Sequence, residues 1–71
     1  MIRIQFNGNP SSYSLDFSTV GERVVLIGKK FPKKLDVGFK AYRLNGDFLG
    51  DYSAYKHVTP IEGGYSFEKV V

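Results

Sequence analysis

The sequence contains no cysteine and a single histidine, and these two scarcities exclude several kinds of chemistry. Without cysteine the chain has no disulfide and no thiolate ligand for a metal. A zinc site of the usual kind needs about four nitrogen or sulfur ligands, and His57 alone does not supply them. We therefore expect neither a metal centre nor a cofactor.

Long apolar runs are also missing. No run approaches the roughly 20 residues that span a bilayer. The amino terminus, MIRIQFNG, alternates polar and apolar residues and lacks the continuous apolar segment of a signal peptide. These patterns predict a soluble protein with no membrane span and no signal peptide.

A large excess of charge of one sign is absent as well. Ten lysines and arginines against seven acidic residues give a net charge of +3. This value is weaker than the basic stripe of a dedicated DNA-binding domain and has the wrong sign for a DNA mimic. The 71 residues make one domain, residues 1–71. A domain this small buries only about 60% of the surface of its unfolded chain, so its stability should be marginal unless a partner or a second copy contributes.

Helical periodicity is absent, and alternation with period two dominates the chain. IRIQF and SYSLDFS each place their apolar residues on one face, and NGNPS between them is a turn, so they predict a hairpin whose second strand starts after Pro10. VVLI is a continuous apolar run, typical of a strand that is covered on both faces or of one that bends across a small core. A short helix over TVGERVV is the alternative.

VGFKAYRLNGDFLGDYSAY, from Val37 to Tyr55, contains the strongest hairpin signal, Asn45-Gly46. A two-residue turn at this dipeptide predicts six facing pairs: Leu44–Asp47, Arg43–Phe48, Tyr42–Leu49, Ala41–Gly50, Lys40–Asp51 and Phe39–Tyr52. One face then carries Phe39, Ala41, Phe48 and Tyr52, and the other carries Tyr42, Leu44 and Leu49. Both faces are partly apolar, so one face is expected to exceed what the core needs.

KHVTPIE and YSFEKV flank Gly63-Gly64, which predicts another hairpin with a two-residue turn. Val58 and Pro60 would share a face with Tyr65 and Phe67, and Pro60 demotes its strand to an edge. The fold class is therefore all-β, with six to seven short antiparallel strands built from hairpins into a small barrel or a two-layer sandwich. A mixed α+β fold with one helix is the alternative.

No arrangement of residues identifies an active site, and we expect no enzyme. Ser53 and Asp51 precede His57, but strand residues four and six positions away lie roughly 13 and 20 Å from it along the chain. The acidic residues are scattered over turns and polar faces, and no pair is identifiable as a general acid and base. The glycines do not have the spacing of a phosphate-binding loop.

KKFPKK is a basic loop around a proline and is the best candidate for direct nucleic-acid binding. Its lysines would neutralise phosphate while an aromatic residue stacks on a base. The candidate residues are Lys29, Lys30, Lys33, Lys34 and Arg43. The alternative is a solvated loop whose Phe31 enters the core.

Eleven aromatic residues are a high number for this length, and they suit a barrel core or a protein interface equally well. The interface candidates are Tyr42, Phe48, Leu49, Tyr52 and Tyr55. They predict a protein partner or self-association.

GFKAYRLNGDFLGDYSAYKHV followed by EGGYSF resembles the C-terminal half of small uncharacterised β proteins of phages and prophages of Gram-positive bacteria. The matching positions, within a resemblance that covers roughly Lys30 to Phe67, are Gly38, Phe39, Tyr42, Arg43, Asn45, Gly46, Leu49, Gly50, Asp51, Tyr52, Ser53 and Tyr55. The relatives often continue with a tail rich in Asn, Asp and Gly, whereas this sequence ends at Val71.

Such proteins are typically encoded among tail, baseplate and lysis genes. The resemblance implies a non-enzymatic accessory or structural protein that acts through protein contacts, in the bacterial cytoplasm or in the virion. It implies no reaction.

Overall fold

The computed structural model describes residues 1–70, and in them the chain forms seven strands and no helix. The strands are β1 (Ile2–Phe6), β2 (Ser12–Val20), β3 (Arg23–Ile27), β4 (Phe39–Tyr42), β5 (Phe48–Tyr52), β6 (Tyr55–Ile61) and β7 (Gly64–Lys69). The predicted all-β class is confirmed. The alternative helix over TVGERVV is not formed, because β2 and β3 meet there in a hairpin in which Val20 faces Arg23.

All strand pairs are antiparallel and make one sheet in the order β5-β4-β1-β2-β3-β7-β6. β2 belongs to two halves of this sheet, because its residues up to Leu15 pair with β1 and those from Asp16 onward pair with β3. β5 and β6 are the two edges, so the sheet is open and does not close into a barrel. The position of β6 agrees with the edge strand predicted from Pro60.

The two halves of the sheet pack over one hydrophobic core. Its members, each at most 2% exposed, are Ile4, Phe6, Leu15, Phe39 and Ala41 from one half and Val24, Leu26 and Phe67 from the other. The Phe67 ring joins the halves, with its centroid 6.2 Å from that of Phe6 and 5.1 Å from that of Phe39. Burying each such ring contributes about 1.5–3 kcal/mol. The apolar residues at alternate positions of β1 and β2 therefore face inward, as predicted.

The β4–β5 hairpin follows the predicted register at its base and departs from it toward its turn. Phe39 faces Tyr52 and Lys40 faces Asp51, as expected, but Tyr42 faces Phe48 instead of Leu49. A bulge near Leu49 causes this change, because it adds one residue to β5.

The predicted two-residue turn of this hairpin is also wrong. The Arg43 N–H donates to the Asp47 carbonyl at 2.7 Å and the Gly46 N–H donates to the Arg43 carbonyl at 2.9 Å, so the loop has three residues, 44–46. Within this loop only Gly46 has positive φ, at 99°, whereas the predicted turn needs positive φ at Asn45 as well.

The β6–β7 hairpin needs a smaller correction. Ile61 faces Gly64, so the two-residue turn lies at residues 62–63 and not at Gly63-Gly64. The predicted face assignment nevertheless holds, because Val58 faces Phe67 and Pro60 faces Tyr65.

Candidate functional site

Apolar side chains are exposed together at the turn of the β4–β5 hairpin. We call Tyr42, Leu44, Phe48 and Leu49 the hairpin tip. Leu44, Phe48 and Leu49 are 54%, 58% and 43% exposed. The Tyr42 ring is half-buried and meets the Phe48 ring edge to face, with 5.5 Å between the centroids. The tip thus presents an aromatic pair flanked by two leucines on an edge hairpin.

The bulge in β5 explains why Phe48 lies on this surface. With the predicted register Phe48 would share the inner face with Phe39 and Tyr52. The extra residue at Leu49 moves it to the outer face, opposite Tyr42. The turn itself is held locally, because the Asp47 N–H donates to the Asn45 side-chain oxygen at 3.0 Å. Local sequence therefore fixes the tip without any need for apolar side chains there.

Charges of both signs surround the tip. Arg3 faces Tyr42 in the neighbouring strand, and its guanidinium donates to the Leu44 carbonyl at 3.4 Å. Lys40 faces Asp51 across the hairpin. Arg43 is exposed beside the turn. An apolar centre with such a rim is the usual composition of a protein interface.

The other two predicted interface residues, Tyr52 and Tyr55, lie elsewhere. Tyr52 stacks on the buried Phe39 ring at 5.1 Å with 18° between the ring planes, and it also contacts Phe17 at 5.5 Å. The Tyr55 ring contacts Tyr52 at 5.2 Å. Both tyrosines are half-buried and pack against the core, so they do not extend the tip.

We call Gly38, Phe39, Tyr52 and Ser53 the hairpin base, and its parts fit closely. Gly38 has φ of +77°, and a Cβ atom there would lie 2.5 Å from the Ser53 carbonyl oxygen. Asn7 bridges the same place, since its side-chain nitrogen donates to the Val37 carbonyl at 3.1 Å and to the Ser53 hydroxyl at 3.0 Å. Glycine, phenylalanine, tyrosine and serine at these positions thus have structural reasons.

Asp51 shapes the connection from β5 to β6. Its carboxylate accepts hydrogen bonds from the Ser53 hydroxyl and from the Ser53 N–H, the latter at 2.9 Å. These bonds, chiefly the one from the hydroxyl, hold the pKa of Asp51 below its ordinary value of 3.8, with a smaller contribution from Lys40. His57 lies in β6 opposite Glu68. The Ser53 hydroxyl is thus engaged directly by a carboxylate and an amide.

The basic loop connects β3 to β4 and is anchored by its middle. Phe31 meets Tyr65 edge to face at 4.8 Å, and Pro32 is buried. Phe31 is therefore part of the packing and does not stand free to stack on a base. Lys29, Lys30, Lys33 and Lys34 are all exposed, and none makes an ion pair within residues 1–70. Arg43 lies on a different element, beside the hairpin turn.

A groove of about 680 Å³ opens beside Lys29 and Lys30, where β3 leaves β2. Tyr13, Ile27 and Met1 are among the side chains that line it. Sequence reasoning missed this groove because it arises from the division of β2 between two partners. The one indication of a groove in the sequence is that the apolar end of β3, Ile27, lies close to Lys29 and Lys30.

Comparison of the chain with models of protein families, with curated proteins and with solved structures finds no match. In residues 1–70 no helix is long and apolar enough to cross a membrane. The two candidate surfaces therefore rest on geometry: the hairpin tip, and the exposed lysines with the groove beside them.

Proposed function

We propose that this protein is a non-enzymatic accessory or structural protein that acts through protein contacts made by its hairpin tip. It would be a protein of the same type as the small phage and prophage β proteins that the hairpin sequence resembles. It would be associated with the tail and would act in the virion or in the host cytoplasm. The exposed pair of Tyr42 and Phe48, flanked by Leu44 and Leu49, is the observation that carries the proposal.

The apolar tip is unexplained by folding, and this supports a role in binding. Phe48 exposes more than half of its side chain, so it contributes little of the roughly 1.5–3 kcal/mol that a buried phenylalanine would. Aromatic anchors in a polar rim are the residues that dominate protein interfaces. β5 is also an edge of the sheet, and an open edge has backbone groups free to pair with another strand.

The partner that we propose for the tip is a second copy of the chain. The hairpin carries Lys40 and Arg43 together with Asp47 and Asp51. Because a twofold contact brings the same surface of two copies together, a surface with both signs of charge is able to pair with itself. The exposed β5 edge would lie at the centre of such a contact.

Sedimentation velocity over a concentration series tests this proposal. We expect the wild type to pass from monomer to a larger species as concentration rises. The double substitution Phe48→Thr and Leu49→Thr removes two apolar contacts and keeps residues that favour strands, so it should shift the midpoint of association at least about tenfold upward, which corresponds to 1.4 kcal/mol.

Val20→Thr is the matched control, because Val20 is a similarly exposed apolar residue, at 60%, in the β2–β3 hairpin. It should associate like the wild type. A wild-type protein that stays monomeric at every concentration contradicts self-association through the tip. Equal weakening by the control would mean that association is not specific to the tip.

Binding of single-stranded nucleic acid is a second candidate function, favoured by one observation. Four exposed lysines of one loop make no ion pair in residues 1–70, and two of them, Lys29 and Lys30, line a groove that Tyr13 also lines. Lysines that contact phosphates release counterions, so affinity would fall with salt by a slope of about 0.7 per contact. Tyr13 would replace Phe31 as the stacking residue.

Fluorescence anisotropy with a mixed-sequence oligonucleotide, from low to near-physiological salt, tests this second candidate. Binding that weakens steeply with salt and is lost when Lys29, Lys30, Lys33 and Lys34 are all changed to alanine supports it. The same binding should survive Phe48→Thr with Leu49→Thr, which leaves the loop intact. No binding at low salt excludes it.

A further inference from the structure

The groove beside β2 has an origin in the sheet. Residues 12–15 of β2 pair with β1 on one side, but on the other side the pairs with β3 begin only at Asp16 and Ile27. Beyond Ile27 the chain leaves β2, and the Gly28 N–H donates to the Gly63 carbonyl at 3.0 Å. The first half of β2 is thus left without a neighbour on that side. The groove of about 680 Å³ occupies this place.

The groove combines a largely apolar lining with two lysines. Its apolar side chains are Met1, Tyr13 and Ile27, and Lys29 and Lys30, just beyond the end of β3, also line it. Tyr13 is held by the core, with its ring 6.0 Å from that of Phe6, so its position is set by packing. Small-molecule sites are typically of about 300–1,000 Å³ and largely apolar, with a few polar groups that orient the ligand.

The charges at the groove favour an anion. The two lysines make no ion pair within residues 1–70. Asp16, the acidic residue that lines the groove, lies 3.7 Å from the Met1 amino group. A negative ligand group would therefore meet two ammonium groups that have no ion-pair partner among residues 1–70, while an apolar body would replace water against Ile27 and Tyr13.

We propose that this groove binds a small organic anion, with an apolar body on Tyr13 and Ile27 and a carboxylate at Lys29 and Lys30. A nucleotide fits less well, because the lining is largely apolar and its polar side chains besides the lysines, Ser12, Ser14 and Asp16, are few for the polar edges of a base. The site is separate from the hairpin tip, and the proposal does not depend on that surface.

An amide NMR titration of the full chain with octanoate tests the site. Saturable shifts at Tyr13, Ile27, Gly28 and Gly63 are expected, because these residues line the groove. Lys29→Ala with Lys30→Ala should weaken octanoate binding at least about fivefold. Lys33→Ala with Lys34→Ala is the matched control, since it removes the same charge from the same loop at residues that do not line the groove, and it should change affinity less than twofold.

Three results would overturn the proposal. Shifts that are absent or never saturate would show that the groove holds no such ligand. Equal weakening by the two lysine pairs would mean that octanoate responds to net charge alone. Tighter binding of 1-octanol or of adenosine monophosphate than of octanoate would contradict an apolar carboxylate as the preferred ligand. Nucleic-acid binding, in contrast, is expected to weaken with either lysine pair, so the two ideas fail separately.

Discussion

The two ends of the β4–β5 hairpin differ in what holds them. At the base, Gly38 approaches the Ser53 backbone, and Tyr52 stacks on the buried Phe39 ring. At the tip, Phe48 is more than half exposed and contacts Tyr42. Substitutions at the base should therefore unfold the protein, whereas substitutions at the tip should alter what it binds.

Phe39→Ala is expected to have the largest effect on folding. Phe39 is fully buried and contacts three other rings, those of Phe6, Tyr52 and Phe67. Truncation leaves a cavity among them and should cost about 3–5 kcal/mol of unfolding free energy. A domain of this size has little stability in reserve, so circular dichroism should show a largely unfolded variant at 25 °C. A well-folded variant with a small loss would contradict the assigned core.

Gly38→Ala and Gly46→Ala separate two causes of strain at the base and the tip. Both glycines have positive φ, at +77° and +99°, which costs a non-glycine residue about 1–3 kcal/mol. Only at Gly38 would the new Cβ also overlap backbone atoms, those of Ser53, since the space around Gly46 is open. Urea unfolding should show a clearly larger loss for Gly38→Ala. Equal losses would show that the base is not closely packed.

Asn7→Ala should have an intermediate effect. The substitution removes two hydrogen bonds and leaves the Val37 carbonyl and the Ser53 hydroxyl without their shared donor. The expected cost is about 1–3 kcal/mol, measured as a lower urea midpoint. Asn9→Ala is a useful comparison, because the Asn9 side-chain oxygen accepts one exposed hydrogen bond from the Ser11 N–H. The urea midpoint should fall less for this variant.

Phe48→Thr should change stability little. The substitution removes the cross-strand contact with Tyr42, which should lower the free energy of unfolding by roughly 0.2–1 kcal/mol. The rest of the Phe48 side chain is mostly in water. Thermal unfolding at a concentration where the protein is monomeric is the appropriate measurement. A loss comparable to that of Phe39→Ala would mean that the tip is part of the fold, and it would remove the argument for an interaction surface.

Asp51 should give the smallest effect, visible as a dependence on pH. Its pKa in the folded protein is below 3.8, chiefly because the Ser53 hydroxyl donates to the carboxylate. Its contribution to stability is therefore fully present above about pH 3.8, the ordinary value, and is lost as the pH falls through the lower folded value. We expect Asp51→Asn to flatten the plot of the urea midpoint against pH over this acidic range. An unchanged profile would contradict the assignment.

How far the sequence predicts the fold is clearest in the same hairpin. The facing pairs Phe39–Tyr52 and Lys40–Asp51 were predicted from alternation and the Asn-Gly signal, and they are observed. The predicted face of Phe48 is wrong. The loop has three residues, and the bulge in β5 compensates for the extra one, so the pairs at the base keep the predicted register and only those near the turn are shifted. Nothing in local composition distinguishes this arrangement from a two-residue turn.

The candidate surfaces were predictable to different degrees. Tyr42, Phe48 and Leu49 were predicted as interface residues, and the structure brings them together, whereas Tyr52 pairs with the core because it faces Phe39. The groove was not predictable, since Tyr13, Ile27 and Lys29 meet only where β2 changes partner.

The division of the hairpin into a folding base and a binding tip is tested most directly by amide NMR spectra of the wild type over a dilution series. We expect signals of Arg3 and of residues 42–49 to move or broaden as concentration rises, while those of Gly38 and Ser53 stay fixed. Spectra that do not change with concentration, or changes centred on the base, would contradict the account.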